Sequence, residues 1–211
     1  MAERLIQPVK DTKEKYYTYK KYISRHNMAV KEGFYFEALL IDYALMEDRL
    51  RSFLYHMGML KTRDSFTIDV AYKKTIKSLV ETYTVKGDSK GLGISSISGK
   101  MKIVRCITEW SSSVEMIHQS DRYEMLLKQH MEGVDADGLL SLLNNIGLWC
   151  KYRNEIIHSL LNKNLDSVDA EIAEKEKLGF DLACSLDNFV KAFERGNTIR
   201  RKIGLTVEKL K

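Results

Sequence analysis

The chain has little proline, few cysteines and no long apolar run. Of its 211 residues, 1 is proline and 3 are cysteine. Because proline interrupts helices, its near absence predicts long helices rather than a turn-rich β fold. The cysteines are odd in number and far apart, so they form neither a disulfide framework nor a Cys-x-x-Cys metal motif: Cys106, Cys150 and Cys184. With no run of 18 apolar residues and no signal-peptide core near the start, we expect a reducing, cytoplasmic protein without a membrane partner.

Recognisable metal-binding patterns are also missing. The five histidines include no i,i+4 pair and no His-Glu-x-x-His motif: His26, His56, His118, His130 and His158. One predicted helix carries four carboxylates without the Glu-x-x-His partner of di-iron bundles, and we interpret most of them as solvated charge: Glu37, Asp42, Glu47 and Asp48. The sequence therefore predicts no metal centre and no cofactor.

The charge balance is mildly basic, with 34 basic and 29 acidic residues and a net charge of +5. Such a balance permits a nucleic-acid partner without requiring one. The basic residues are concentrated near both ends of the chain. The tyrosine-rich segment KEKYYTYKKYISR has two interpretations: it stacks RNA bases, or, as we favour, its tyrosines pack on the protein while its lysines face water.

Apolar residues recur at helical spacing over most of the chain. The predicted helices cover residues 12–31, 34–58, 67–85, 101–119, 121–132, 138–162 and 166–194, with a basic C-terminal helix over 197–211. We find no alternating strand pattern, so the predicted fold is all-α, an antiparallel helical bundle forming a single helical domain over residues 1–211.

A glycine- and serine-rich segment, residues 86–100, is predicted to be a flexible loop. It resembles a phosphate-binding loop only superficially. Five residues rather than four separate Gly93 from Gly99, and Met101 occupies the position where a Ser or Thr would bind magnesium. We therefore interpret the segment as a surface connection.

The segment KYRNEIIHSLL, residues 151–161, places polar side chains inside an apolar helix. Asn154 and His158 are four residues apart and share a face. Arg153 and His158 are five apart, about 7.5 Å along the helix axis and about 140° around it. Cys150 lies about 12 Å from His158 along the axis, too far for a nucleophile–base pair, so we expect a core cysteine.

Arg153 to His158 matches the Arg-x4–6-His motif of the HEPN superfamily, with Asn154 as the favoured polar residue after the arginine. The stretch EALLIDYALMEDRLRSFL also resembles the amphipathic helix that opens the HEPN core. The resemblance covers residues 34–195. It does not extend to the tyrosine that some HEPN toxins carry two residues after the histidine, because Leu160 occupies that position.

The resemblance implies a metal-independent endoribonuclease, a toxin or an effector of phage defence or stress, acting as a homodimer. Two motifs would line one cleft, with RNA as the substrate and an antitoxin or other regulatory protein as a further partner. His158 would transfer protons, Arg153 would stabilise charge on the scissile phosphate, and Asn154 would orient His158 or bind a phosphate oxygen.

Two alternatives stay open at this point. A HEPN-like module without catalytic activity would bind RNA, a nucleotide or a protein. A helical scaffold unrelated to the family would carry Arg153 and His158 on a solvated outer face.

Overall fold

The protein is an all-α bundle in this computed structural model. The structure describes residues 12–84, 91–113, 121–159, 162, 165–194 and 198–204, and these form eight helices and no strand. In chain order the helices are α1 (Thr12–Lys31), α2 (Tyr35–His56), α3 (Val70–Tyr83), α4 (Ile97–Ser113), α5 (Arg122–Met131), α6 (Ala136–Ser159), α7 (Leu165–Glu194) and α8 (Thr198–Lys202). The predicted all-α fold class is confirmed.

The most extensive helix contact in the bundle is between α2 and α7, and α6 packs against α7 and α4. At one point α6 and α7 approach very closely. A Cβ atom on Gly179 would lie 2.6 Å from Cζ2 of Trp149, so only glycine fits against the indole ring. The indole Nε1–H of Trp149 also donates to the carbonyl oxygen of Lys175, at 2.7 Å. This contact fixes α6 one turn before Arg153.

Two glycines with positive φ limit α2, the longest helix of the first half. Gly33 (φ 79°) precedes the helix and Gly58 (φ 77°) follows it. Glycine adopts this left-handed conformation without steric cost. A Cβ atom on Gly58 would also lie 2.6 Å from Cδ1 of Ile203, so packing excludes a side chain there as well.

The tyrosines of α1 do not share one buried face. Tyr19 packs against α2 and contacts Asp48 and Arg49, whereas Tyr16 and Tyr22 are 64% and 44% exposed. Three residues turn a helix by about 300°, so each tyrosine in a series with that spacing lies about 60° around the helix from the one before it. Such a series cannot keep all its members against one neighbouring helix. The prediction that these tyrosines pack together on the bundle is wrong except for Tyr19.

The α4 helix begins at residue 97, so the predicted loop over 86–100 ends at residue 96. The Ser96 hydroxyl accepts a hydrogen bond from the backbone N–H of Gly99 at 3.2 Å, which caps the first turn. Lys100 is buried, with its Nζ 2.8 Å from Oε1 of Glu47 on α2. Residues 85–90 of this region lie outside the described residues.

The predicted basic helix over 197–211 is, where described, the five-residue α8, and residues 205–211 lie outside the described part. Arg200 is buried rather than solvated. Its guanidinium stacks on the ring of Tyr55, 3.8 Å from the centroid. It also donates to the carbonyl oxygens of Tyr55, Leu60 and Lys61 at 2.8–3.1 Å. Arg200 thus satisfies carbonyls at and beyond the end of α2.

Candidate functional site

The helix that carries the Arg–His motif is firmly held in the bundle. Asp135 caps α6, because its Oδ1 accepts a hydrogen bond from the backbone N–H of Gly138 at 2.9 Å. One face of α6 is buried and contributes seven residues to the core: Leu139, Leu142, Leu143, Ile146, Trp149, Cys150 and Ile156. The last two turns of this anchored helix present Arg153, Asn154 and His158.

Arg153 is half-buried and is held by a neighbouring helix. Its guanidinium carbon lies 4.3 Å from the centroid of the Tyr43 ring on α2, a cation–π contact. Its Nη1 donates to Oδ1 of Asn154 at 3.1 Å. Its Nε is buried without an acceptor among the described residues. The guanidinium therefore has a defined position in the bundle.

Asn154 and His158 are exposed on the same face of α6. The Oδ1 atom of Asn154 accepts its hydrogen bond from Arg153, so within the described residues Asn154 positions the arginine and not the histidine. Arg153 and His158 stay about 7.5 Å apart along the axis of one helix. A single chain thus brings Arg153 and Asn154 together and leaves His158 separate, on the solvated face that the scaffold alternative also predicts.

Cys150 lies one turn before Arg153 and is buried, as the sequence predicted. Burial raises the pKa of its thiol to about 11, and the nearby Arg153 offsets only part of this effect. Since the thiolate is the nucleophilic form, Cys150 is a core residue without nucleophilic character at neutral pH.

A surface groove of about 390 Å³ lies between α4 and α6, and sequence reasoning missed it. Its charged lining residues are Lys102 and Arg105 of α4 and Lys151 of α6, and none of the described lining residues is a carboxylate. The Arg105 Nη2 donates to Oδ1 of Asn144 at 2.6 Å, which holds the side chain across the groove. Three cations with no acidic neighbour in the lining favour an anionic ligand such as a phosphodiester backbone.

The groove lies on the same side of α6 as two of the three motif residues, Asn154 and His158, whereas Arg153 is about 140° around the helix from His158. Lys151, Asn154 and His158 follow one another at spacings of three and four residues, so they share a face, and all three are exposed. Leu148, at the groove rim on this face, is 63% exposed. The exposed face therefore combines cations, an imidazole and an apolar contact point.

A second cluster of chemically active side chains is buried between α1, α2 and α7. The Nε2 atom of His26 lies 3.1 Å from Oδ1 of Asp42 and 2.8 Å from Oε1 of Glu176. All three residues are at most 4% exposed. The interpretation of Asp42 as solvated charge is wrong, because α7 covers the face of α2 on which it lies.

Comparison with known proteins does not identify the chain. No protein-family model, no curated protein and no solved structure matches it. No described helix is long and apolar enough to span a bilayer. The functional argument therefore depends on the side chains of α2, α4 and α6 and on their chemistry.

Proposed function

We propose that this chain is a HEPN-type endoribonuclease that cleaves RNA with Arg153 and His158 and without a catalytic metal ion. The observation that carries the proposal is a positioned guanidinium and an exposed imidazole on the same helix that lines a groove of three cations. The groove would hold backbone phosphates, and the motif would act on the phosphodiester that follows.

The chemistry needs only a proton carrier and a fixed cation, since RNA supplies its own nucleophile. The ribose 2′-oxygen attacks phosphorus, the bond from phosphorus to the 5′-oxygen breaks, and a 2′,3′-cyclic phosphate forms. A His158 side chain accepts the 2′-hydroxyl proton, and a protonated imidazole supplies the proton that the leaving 5′-oxygen takes up. Arg153 binds the phosphate oxygens through the planar, two-pronged geometry of its guanidinium.

Two copies of the chain complete the site in this proposal. One helix holds Arg153 and His158 too far apart to serve a single phosphate, and a two-fold axis beside α6 brings a second pair into the same cleft. One His158 then acts as base and the other as acid. The exposed Leu148, one to two turns before the motif, supplies apolar contact area for the second copy.

The biological setting follows the same resemblance. We place the antiparallel HEPN-like core at residues 34–195 and propose a cytoplasmic toxin or an effector of phage defence or stress. An antitoxin or another regulatory protein would restrain an RNA-cleaving enzyme of this kind. Because Leu160 replaces the tyrosine of one toxin group, this control would not use modification at that position.

The direct test is RNA cleavage by the purified full chain in EDTA, at a temperature below its melting transition in EDTA. We expect His158→Ala to lower the cleavage rate by about 10²–10⁴-fold, the usual contribution of a general acid or base. Arg153→Lys keeps the charge but loses the two-pronged geometry, so it should also be slow. Asn145→Ala, an exposed change elsewhere on α6, is the matched control and should retain full activity.

Cleavage that persists undiminished in a folded His158→Ala protein would exclude this mechanism. One observation favours a second candidate, an RNA-binding module without cleavage: the Arg153 side chain is half-buried on Tyr43. That candidate predicts RNA binding by the wild type and by His158→Ala alike, and cleavage by neither.

A further inference from the structure

We propose that His26, Asp42 and Glu176 bind one divalent transition-metal ion that joins α1, α2 and α7. This structural site is separate from the cleavage site and does not depend on the proposed ribonuclease function. The three ligand atoms belong to helices far apart in the sequence, and all lie within 4.8 Å of one another.

The spacing of the ligand atoms fits a shared ion. Two donors at about 2.1 Å from one metal are about 3.0 Å apart in octahedral geometry and about 3.4 Å apart in tetrahedral geometry. The His26 Nε2 lies 3.1 Å from Asp42 Oδ1 and 2.8 Å from Glu176 Oε1. The three ligand atoms lie within 4.8 Å of one another, so side-chain rotations would bring all three to one ion.

These short contacts do not have hydrogen-bond geometry. The His26 Nε2 and both carboxylate oxygens of Asp42 are buried and have no hydrogen-bond partner among the described residues. Asp42 is 0% exposed, so water does not solvate its carboxylate from the surface. Burying a carboxylate that has no hydrogen-bond partner is unfavourable, and buried carboxylates in proteins are normally paired or coordinate metals.

The surroundings of His26 favour the tautomer that ligates a metal. Its Nδ1 lies 3.2 Å from Oδ1 of Asn27, an acceptor that places the proton on Nδ1. The Phe180 ring stacks on the imidazole, with centroids 4.3 Å apart, and fixes the ring orientation. If Nε2 carries no proton, its lone pair faces carboxylate oxygens, an arrangement that is repulsive unless a cation lies between them.

The total charge of His26, Asp42 and Glu176 also fits a divalent metal ion. A neutral imidazole with two carboxylates carries −2, which a divalent ion cancels inside the bundle. One imidazole and two carboxylates suit Zn²⁺ or Mn²⁺, and a water molecule would supply the remaining ligand. The alternative is a metal-free triad in which a protonated His26 bridges the two carboxylates.

The test uses the untagged full chain, stripped of metal with EDTA and returned to metal-free buffer. With ZnCl₂, and separately with MnCl₂, we expect about one equivalent of at least one of the two ions to stay with the protein through gel filtration. At a hundredfold excess of that ion over Kd, the melting temperature should rise by about 5–10 °C. Asp42→Asn and Glu176→Gln should each lose the bound equivalent and the rise in melting temperature.

His158→Ala is the matched control, because it removes a surface histidine and should bind the ion like the wild type. If Asp42→Asn does not fold, the wild-type stoichiometry and Glu176→Gln decide the question. A wild-type chain that retains neither ion and whose melting temperature neither ion changes would overturn the proposal. So would retention of the ion by both folded variants, which would indicate binding elsewhere on the surface.

Discussion

The groove between α4 and α6 makes a quantitative prediction about salt dependence. Lys102, Arg105 and Lys151 are the charged residues of its described lining, so each is expected to neutralise one backbone phosphate of bound single-stranded RNA. Neutralising a phosphate releases counterions, and the logarithm of the binding constant then falls with the logarithm of salt by about 0.7 per contact.

Replacing all three cations with alanine should reduce this slope by about 2. Salt weakens the wild-type interaction more than that of the variant. The difference in slope is about 2.1, from three contacts at about 0.7 each. When the salt concentration rises about fourfold, from about 50 to about 200 mM, the wild type should therefore lose about 18-fold more affinity than the variant. At low salt the variant should bind more weakly than the wild type.

The assay is fluorescence anisotropy of a labelled single-stranded RNA titrated with protein at several salt concentrations. Every chain also carries His158→Ala, so that cleavage does not distort the binding curves. A control variant removes the same charge from exposed positions on α3 and α7: Lys73→Ala, Lys74→Ala and Lys177→Ala. Equal slopes for the groove variant and this control would refute the groove as the RNA path.

Two further predictions concern the stability of the folded protein, one through helix packing and one through a partly buried ion pair. Gly179→Ala should destabilise the protein by up to about 2 kcal/mol in urea unfolding, because overpacking against Trp149 outweighs the gain in helix propensity. Gly147→Ala, where an added Cβ meets nothing within 4 Å, should instead stabilise it by up to about 1 kcal/mol, and the opposite order would contradict the packing argument. For Asp48, burial alone would raise the pKa, but Lys15 and a neighbouring arginine outweigh burial and lower it to about 2. This stabilisation is complete above about pH 4 and is lost as the pH falls toward 2, so Asp48→Asn should cost about 2 kcal/mol at pH 7 and much less at pH 2.5. An equal cost at both pH values would exclude the ion pair with Lys15 as the cause.

The helices were predictable because their signals are local. Apolar spacing and a glycine such as Gly58 define where α2 runs, and the same rules apply to α6. The motif from Arg153 to His158 was equally visible, since its residues are close in sequence. The sequence pattern placed Lys100 in a surface loop, but its side chain is buried beside Glu47 of α2. That contact depends on the packing of α4 on α2 and not on the neighbours of Lys100 in the chain.

The rest of the chemistry depends on which helices pack together. Tyr43 and Arg153 are more than a hundred residues apart and meet only because α4 and α7 each pack against both α2 and α6. Likewise, His26 and Glu176 are 150 residues apart and meet because α1 and α7 both pack on α2. Periodicity shows that such helices have an apolar face but does not identify the partner of each face, so neither arrangement could be read from the sequence.

The most direct test of the central claim is the chemistry of the RNA ends left by the wild-type chain in EDTA, determined by mass spectrometry. The ribose 2′-hydroxyl is the nucleophile in this account. It therefore predicts a 2′,3′-cyclic phosphate, or the monophosphate formed by its hydrolysis, on one fragment and a 5′-hydroxyl on the other. Fragments ending in a 3′-hydroxyl and a 5′-phosphate, or intact RNA after prolonged incubation, would contradict it.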